Sequence, residues 1–304
     1  MSYKVQQSVC SDCVTYVKSR IKFNKFNTFN NVKERLKEVL AIVNHKGGVG
    51  KTTTVQNLAA GLLRRNPKLR ILCIDLDPQG SLSKLMGWGS EKRKHDDALT
   101  VADALRNGTD NRLPVYCSPD GIYYVPASPA LNNIEPDLQN QMISKLVLRD
   151  LFGNFISYAD NPDKECYIEN EFDYVLIDCA PALSELTYNA LGVATGIIIP
   201  VELSALAVDG IGAMLDAYKA VKRKLNPSLD LRGLLIVRAD ERTKVARETT
   251  DFLRDHYEDI FKCRIRECVK VKESQFQYTD IFRWAPDCTA AKDYAELVEE
   301  ISFH

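Results

Sequence analysis

Residues 44–54 read Asn-His-Lys-Gly-Gly-Val-Gly-Lys-Thr-Thr-Thr and follow the apolar run Val39-Leu40-Ala41-Ile42-Val43. A buried strand feeding a glycine-rich turn, then a Lys-Thr pair opening a helix, is the architecture of a phosphate cradle. Gly47, Gly48 and Gly50 lack a Cβ, so the backbone can bend tightly and turn its N–H groups toward an anion. The helix starting near Lys51 adds its positive dipole end. Lys51 can reach the β- and γ-phosphates of a nucleotide, and the Thr52 hydroxyl can ligate Mg²⁺. The candidate phosphate-binding set is therefore Lys46, Gly47, Gly48, Val49, Gly50, Lys51, Thr52 and Thr53. The general pattern G-x-x-x-x-G-K-[ST] wants glycine at position 45. This chain has His45 there, and a second lysine, Lys46, at the start of the loop. A glycine-rich turn without a ligand would need neither lysine.

Two strand ends tipped with carboxylates follow the cradle. The first is Ile74-Asp75-Leu76-Asp77-Pro78-Gln79-Gly80, which sets acids at a sheet's carboxyl edge beside the phosphate loop. The second is Ile177-Asp178-Cys179-Ala180-Pro181, a hydrophobic strand ending in an acid. That is the arrangement that holds Mg²⁺ or its waters. Thr52, Asp77 and Asp178 are the candidate metal ligands. Either acid alone would read as a solvated turn carboxylate; together with the loop they read as a site.

The elements that must position these groups alternate along the chain. Strand candidates are 38–43, 70–76, 121–126, 172–178, 195–201 and 231–237. Helix candidates are 51–65, 136–158, 206–225, 244–257 and 289–302. Near-continuous apolar strands separated by helices predict an α/β fold, a mainly parallel sheet with helices on both faces. Residues 89–98 and 159–171 read as solvated loops.

Composition excludes several classes. The chain has 304 residues, 45% hydrophobic and 27% charged, which is ordinary for a globular protein. A formal net charge of −1 leaves no global field for nucleic acid or membrane, so such binding needs a local patch. The longest apolar stretches, such as Gly196–Val201, are too short to span a bilayer, and Met1-Ser2-Tyr3-Lys4 opens no signal-peptide core. Nine scattered cysteines suggest reduced thiols in a cytoplasm rather than a disulfide framework. Cys10 and Cys13 form a lone C-x-x-C without the partners a zinc site needs.

Residues 1–37 form a short basic extension ahead of a domain over 38–304. Lys4, Lys18, Arg20, Lys22, Lys25, Lys33, Arg35 and Lys37 there face only Asp12 and Glu34. Phe23, Phe26 and Phe29 recur every three residues, as an aromatic helix face packing on the main domain, or a nucleic-acid or partner contact, would.

Lys46–Thr54, Asp75–Gly80 and Phe172–Pro181 resemble the deviant Walker A loop, switch-I strand and Walker B strand of ParA-type partition ATPases, in the ParA/MinD class. The resemblance continues through Leu186–Leu191, Ile199-Pro200-Val201, Val237–Thr243 and Ile265–Gln275, so it spans roughly 38–300. It implies ATP and Mg²⁺ as cofactors and a homodimer sandwiched around ATP. In that dimer Lys46 reaches the partner's nucleotide, Lys51 serves its own, and Asp77 positions the attacking water. It also implies weak ATPase activity stimulated by a centromere-binding, ParB-like protein, and a cytoplasmic, nucleoid-associated existence. The sequence departs from the family at Ala180, usually proline, at Ser204, commonly glutamate, and at Ser274-Gln275, an Ala-Pro that helps enclose the adenine side. The extension is too short for a full helix-turn-helix module.

Three functions share this cradle. A partition ATPase binds DNA non-specifically through basic patches, and Lys262, Arg264, Arg266, Lys270 and Lys272 lie within eleven residues of one another, opposed by Glu267. Arg242 sits where the family has an arginine resembling a DNA contact, and Lys270 matches conservatively. A MinD-like spatial regulator needs a C-terminal basic amphipathic helix for the membrane, but Asp293–Ile301 is acidic. An iron–sulfur ATPase needs a cysteine pair at the dimer face, and Cys117, Cys166 and Cys179 lack that spacing. The partition reading, with no membrane partner, is the strongest.

Overall fold

The computed structural model describes residues 35–89, 98–106, 111–141, 144–161, 164, 166–203, 207–239 and 244–302. Strands run at β1 (Glu38–Ile42), β2 (Ile71–Leu76), β3 (Pro114–Cys117), β4 (Tyr123–Val125), β5 (Ser157–Tyr158), β6 (Tyr174–Cys179), β7 (Gly196–Glu202), β8 (Asp230–Ala239) and β9 (Ile265–Arg266). They form one sheet in the order β5-β3-β4-β2-β6-β1-β7-β8-β9. The β3–β4 pair is antiparallel and every other neighbouring pair is parallel. The placement that matters is β6, inserted between β1 and β2. It brings three carboxyl ends side by side, with Ile42 and Asp75 both opposite Asp178 in the ladders.

The central strands are buried on both faces, which is why they read as apolar runs without alternation. Their side chains still alternate. Val39, Ala41, Leu72, Ile74, Val175 and Ile177 join a core with α3 (Val101–Arg106), α5 (Val147–Phe152), α7 (Glu185–Val193) and α8 (Ala207–Lys224). Leu40, Ile42, Ile71, Cys73, Tyr174 and Leu176 face α1 (Lys51–Arg65) and α12 (Thr289–Ser302). Strand periodicity puts Asp75 and Asp178 on this second face, toward the start of α1. Leu58 and Leu62 of α1 are fully buried there, each contributing about 2 kcal/mol. The helix ends where Pro67 follows Asn66, and the Asn66 N–H still reaches Leu62 O at 3.0 Å. Within the remaining helices α2 is Ser81–Leu85, α4 Glu135–Gln139, α6 Ile168–Glu171, α9 Lys244–His256, α10 Val269–Phe276 and α11 Ile281–Trp284.

Long elements lie where the periodicity puts them, and the helix at 136–158 does not. That segment breaks into α4, a 3₁₀ turn at Ser144–Leu146, and α5, then runs into strand β5. The cause is a side chain from another element. Asn189 of α7 accepts from Leu148 N at 2.9 Å and donates to Ser144 O at 2.7 Å, satisfying backbone groups that a continuous helix would pair internally. The 159–171 stretch also carries the short helix α6 rather than loop alone. Of the 1–37 extension only residues 35–37 are described. The Lys37 N–H donates to Asp173 O at 2.8 Å, leading the chain into β1. Cys10, Cys13 and the three phenylalanines lie outside the described residues.

Replacing Asn189 with Ala strips partners from two backbone groups at the break. Each orphan costs about 1–3 kcal/mol. Asn189→Ala is therefore expected to lower stability by about 2–6 kcal/mol in urea unfolding, with a change under about 0.5 kcal/mol counting against this account.

Candidate active site

The loop after β1 hangs from the neighbouring strand. Asn44, buried, donates from Nδ2 to Pro200 O at 2.7 Å and accepts the Lys46 N–H on Oδ1 at 2.9 Å. Sequence reading passed over Asn44, because its role depends on β7 lying beside β1. Gly48 and Gly50 take φ of +75° and +78°, a region costly for residues with a Cβ. Gly50 is the N-cap of α1, so the first N–H groups of that helix open toward the loop. Val49 is buried beneath it.

The two lysines behave differently. Lys51 is 6% exposed, and its Nζ donates to Lys46 O at 3.0 Å, across the loop's own concavity. Burial pulls its ammonium below the ordinary lysine value, opposed chiefly by the nearby Asp178 carboxylate. A phosphate bound in the loop would supply the countercharge this buried cation needs. Lys46 instead points outward, its side chain 41% exposed, with Nζ 3.5 Å from Glu202 Oε2 at the end of β7. Glu202 also pairs with Arg238 at 3.6 Å, and Arg238 holds the unusual φ of +51° at the end of β8.

The acids divide as well. Asp178 is fully buried; its Oδ2 accepts the Thr52 hydroxyl at 2.6 Å, and its Oδ1 has no hydrogen-bond partner. Burial pushes its carboxyl well above the usual range, and the neighbouring Asp75 raises it further. Asp75 is 1% exposed, accepts from Ser83 N at 2.8 Å and Ser83 Oγ at 2.6 Å, and takes the Asp77 N–H at 3.1 Å. Burial raises it to about 6, against the Ser83 hydrogen bonds that lower it. Asp77 lies at the strand's end, its Oδ1 accepting the Gln79 N–H at 2.9 Å. The structure thus joins Thr52 to Asp178 directly and holds Asp77 on the adjacent turn. An orphaned, buried carboxylate oxygen beside a threonine hydroxyl fits Mg²⁺, which takes hard oxygen donors and keeps several of its waters.

Thr53 shows a contact that motif reading missed. Gln275 of α10 donates from Nε2 to Thr53 Oγ1 at 2.8 Å. One turn on, Asn57 Oδ1 accepts the Ile281 N–H at 2.8 Å. The α10–α11 segment is clipped onto the start of α1 at the position where the sequence departs from Ala-Pro.

The basic residues are less uniform than their spacing. Arg242 and Ser204 lie outside the described residues. Arg266 is engaged by the buried Asp293, including Nε to Oδ2 at 3.0 Å, so it ties β9 to α12. Lys270 pairs with Glu273 at 2.8 Å and Lys272 with Glu267 at 3.7 Å, both lysines remaining at least half exposed. Lys262 is exposed and Arg264 partly so. Among the described residues no helix is long and apolar enough to cross a membrane.

A family model described as an AAA domain matches residues 37–231. The chromosome-partitioning ATPase Soj of Thermus thermophilus is 34% identical over 265 residues, covering 86% of this chain and 94% of that protein. The chain belongs to the ParA-type partition ATPases. The chromosome partitioning protein ParA of Myxococcus xanthus is 32% identical over 240 residues, 77% of each protein. Among solved structures, cobyrinic acid a,c-diamide synthase from Mycobacterium smegmatis with a bound ATP analog and magnesium is 28% identical. It superposes with a TM-score of 0.72 over 88% of this chain and 95% of that one. The α/β architecture of this ParA-type chain is the one expected from its alternating strands and helices.

Asp75 makes a pH dependence measurable in this partition ATPase without magnesium. Its folded value near 6 lies above the ordinary aspartate value of about 4 that it has when unfolded. Folding then takes up a proton between those limits, so its contribution to stability is present below about pH 4 and is lost as pH rises through 6. At about 1.4 kcal/mol per pH unit, wild type is expected to lose about 2 kcal/mol relative to Asp75→Asn between pH 4.5 and 7.5. Parallel urea titrations at both pH values would give this difference, and equal slopes for the two proteins would remove Asp75 as its source.

Proposed function

We propose that this ATPase dimerises around ATP and Mg²⁺, binds DNA without sequence preference in that state, and is reset by slow hydrolysis. A centromere-binding, ParB-like protein would stimulate the reset. In this reading residues 38–304 are the ATPase domain, 1–37 a basic extension, and the protein is cytoplasmic and associated with the nucleoid.

The observation that carries the reading is the divergence of the two loop lysines. Lys51 is committed to its own loop, whereas Lys46 sits on the outer lip, where a facing subunit's nucleotide would lie. Gly47, Gly48, Val49, Gly50 and Thr53 would supply backbone N–H groups around the phosphates; Thr52 and Asp178 would hold the metal, with Asp77 beside them. When bound, Mg²⁺ would supply charge neutralisation to the phosphates. Asp77, on a turn rather than buried in the ladder, would orient a water for attack on phosphorus. The C-terminal helix favours this reading over a membrane-bound one. Tyr294, Leu297, Val298 and Ile301 of α12 are buried in the core shared with α1, Glu296 is exposed, Glu299 pairs with Arg65 of α1 at 2.9 Å, and Glu300 accepts the Lys262 and Cys263 N–H groups. No apolar face of that helix is left for lipid.

Lys51→Ala is expected to abolish ATP binding, because the variant leaves the phosphates without their cation. Lys46→Gln should retain single-site binding and lose both ATP-driven dimerisation and turnover, by about 10³-fold if it acts as arginine fingers do. Fluorescent-nucleotide titration with size-exclusion separates the two, and wild-type turnover by Lys46→Gln would refute the trans role.

DNA binding has its own signature. Arg242, Lys262, Arg264, Lys270 and Lys272 form the proposed contact set, doubled by dimerisation, with Arg266 held back by Asp293. With about four to eight of these side chains on phosphates in the dimer, log K is expected to fall with log salt by about 0.9 per contact, a slope of about −4 to −7. Anisotropy on two unrelated duplexes should show binding with ATP, weak binding with ADP, and equal loss on both when Lys270 becomes Ala. Equal affinity in both nucleotide states would point to another role for the dimer.

A further inference from the structure

Of the eight large hydrophobic residues exposed among the described residues, four lie between positions 269 and 284: Val269, Phe276, Tyr278 and Trp284. Exposed apolar residues scattered singly are ordinary, whereas a cluster marks a contact surface. The geometry of α10 sets this one. Val271 packs on the core shared by α1 and α12, Ser274 is buried, and Gln275 reaches Thr53, so these three turn inward. Val269, Glu273 and Phe276 recur at i, i+4 and i+7 along the outward face, with Lys270 and Lys272 to either side. Phe276 is 81% exposed. Glu273 ties in α11: one of its oxygens accepts both the Lys270 ammonium at 2.8 Å and the Trp284 indole N–H at 3.1 Å. An aromatic ring of α11 is thereby fixed beside a lysine of α10.

Tyr278 is held on this surface at a cost. It follows the C-cap Gln277, with its N–H on Gln275 O and the Thr279 N–H on Ser274 O, both at 3.0 Å. That is the pattern in which a helix stops on a left-handed residue, ordinarily glycine. Tyr278 takes that place with φ of +51°, and at 62% exposed its ring gains too little packing to offset the strain. A tyrosine in a glycine position, with its ring toward solvent, points to a ligand for the ring.

The charge of the segment indicates which ligand. Residues 262–284 hold six Lys and Arg against three Asp and Glu, in a chain of net charge −1. Aromatic rings among lysines suit a polyanion that also presents ring faces. A DNA duplex offers phosphates, sugars and base edges but keeps its ring faces in its own stack; unpaired bases are free to stack on a side chain.

We propose that the outward face of α10, with the turn that follows it, is a stacking platform for single-stranded DNA. Phe276 and Tyr278 take unpaired bases and Trp284 offers a third ring. Lys270 and Lys272 exchange Glu273 and Glu267 for the intervening phosphates. The platform rests on the DNA reading above for its lysines alone, since contacts to duplex phosphates need no aromatic residue.

The test uses the full chain with ATP and Mg²⁺, and anisotropy on oligo-dT and on a mixed-sequence duplex of matched length at one salt concentration. Phe276→Ala is expected to weaken oligo-dT binding by about 5- to 150-fold, the range that one base–aromatic stack is worth, and to leave duplex affinity within about twofold. Phe276→Trp should restore the single-strand affinity. Tyr278→Gly should weaken oligo-dT binding likewise without lowering the urea midpoint, because glycine suits the left-handed position. Lys270→Ala should weaken both DNAs. Oligo-dT affinity untouched by Phe276→Ala and Tyr278→Gly, beside duplex binding that Lys270→Ala still weakens, overturns the platform and leaves the DNA reading standing. Equal losses on both DNAs in Phe276→Ala also overturn it, by placing the ring on the duplex. Binding to neither DNA removes the DNA reading and the platform together.

Discussion

Two buried carboxylates opposite each other in one ladder are the constraint around which this molecule is arranged. Asp75 and Asp178 face the same side of the sheet because β2 and β6 are parallel neighbours in that register. Isolated charges at such depth are strongly disfavoured, and like charges at this range disfavour each other. The fold answers with local donors: Ser83 holds Asp75 from its backbone and its hydroxyl, and Thr52 holds one oxygen of Asp178. Ser83 is itself braced by the Ala127 N–H, 2.9 Å from its hydroxyl oxygen. One oxygen of Asp178 stays unanswered. A structure built for stability alone would place no carboxylate there, and this unanswered oxygen is what fits Asp178 to the proposed metal site.

The phosphate loop meets the same difficulty with opposite sign. Lys51 is buried beside those acids, where Asp178 offsets part of the cost of its burial, and phosphate bound in the proposed site would offset more. Loop shape without ligand then has to come from elsewhere. It comes from Asn44, which bonds β7 and the Lys46 N–H, and from glycines whose backbone reaches conformations closed to other residues. Charge balance and loop geometry are therefore supplied by different residues. That separation is what allows the loop to exist before its ligand arrives.

Legibility in the sequence followed the range of each interaction. Phosphate loop, acid-tipped strands and long helices are written within ten or fifteen residues of chain, and periodicity or motif spacing reaches that far. Thr52 and Asp178, 126 residues apart, were both named, because each belongs to a local motif of its own. Asn44, Asn189, Glu202 and Gln275 were not assigned roles, because each acts on a partner that only the sheet order or helix packing brings near. The 3₁₀ turn at Ser144–Leu146, where periodicity predicts a continuous helix, is the clearest case. Nothing in its own residues forbids a helix as strongly as one asparagine from α7 does. The short strands β3, β5 and β9 are absent from the strand candidates because two to four residues carry little pattern of their own, whereas the equally short β4 lies within the longer apolar run 121–126.

Gln275 also shows how a departure from a family pattern becomes physical. An Ala-Pro at 274–275 has no side-chain donor, whereas Gln275 reaches Thr53, one residue along from the Thr52 that holds Asp178. The first turn of α1 thus has one threonine on the acid pair and the next on α10, which carries Lys270 and Lys272. Asn57 adds a second clip, to the start of α11. Any ligand that shifts Thr52 relative to Asp178 acts on a helix turn already tied to the basic segment. Such coupling needs no long pathway, only two hydrogen bonds on adjacent residues of a rigid helix. In this chain the face proposed to meet DNA and the face proposed to meet phosphate are joined through the start of α1, and Gln275, where the sequence departs from the family pattern, makes the joint.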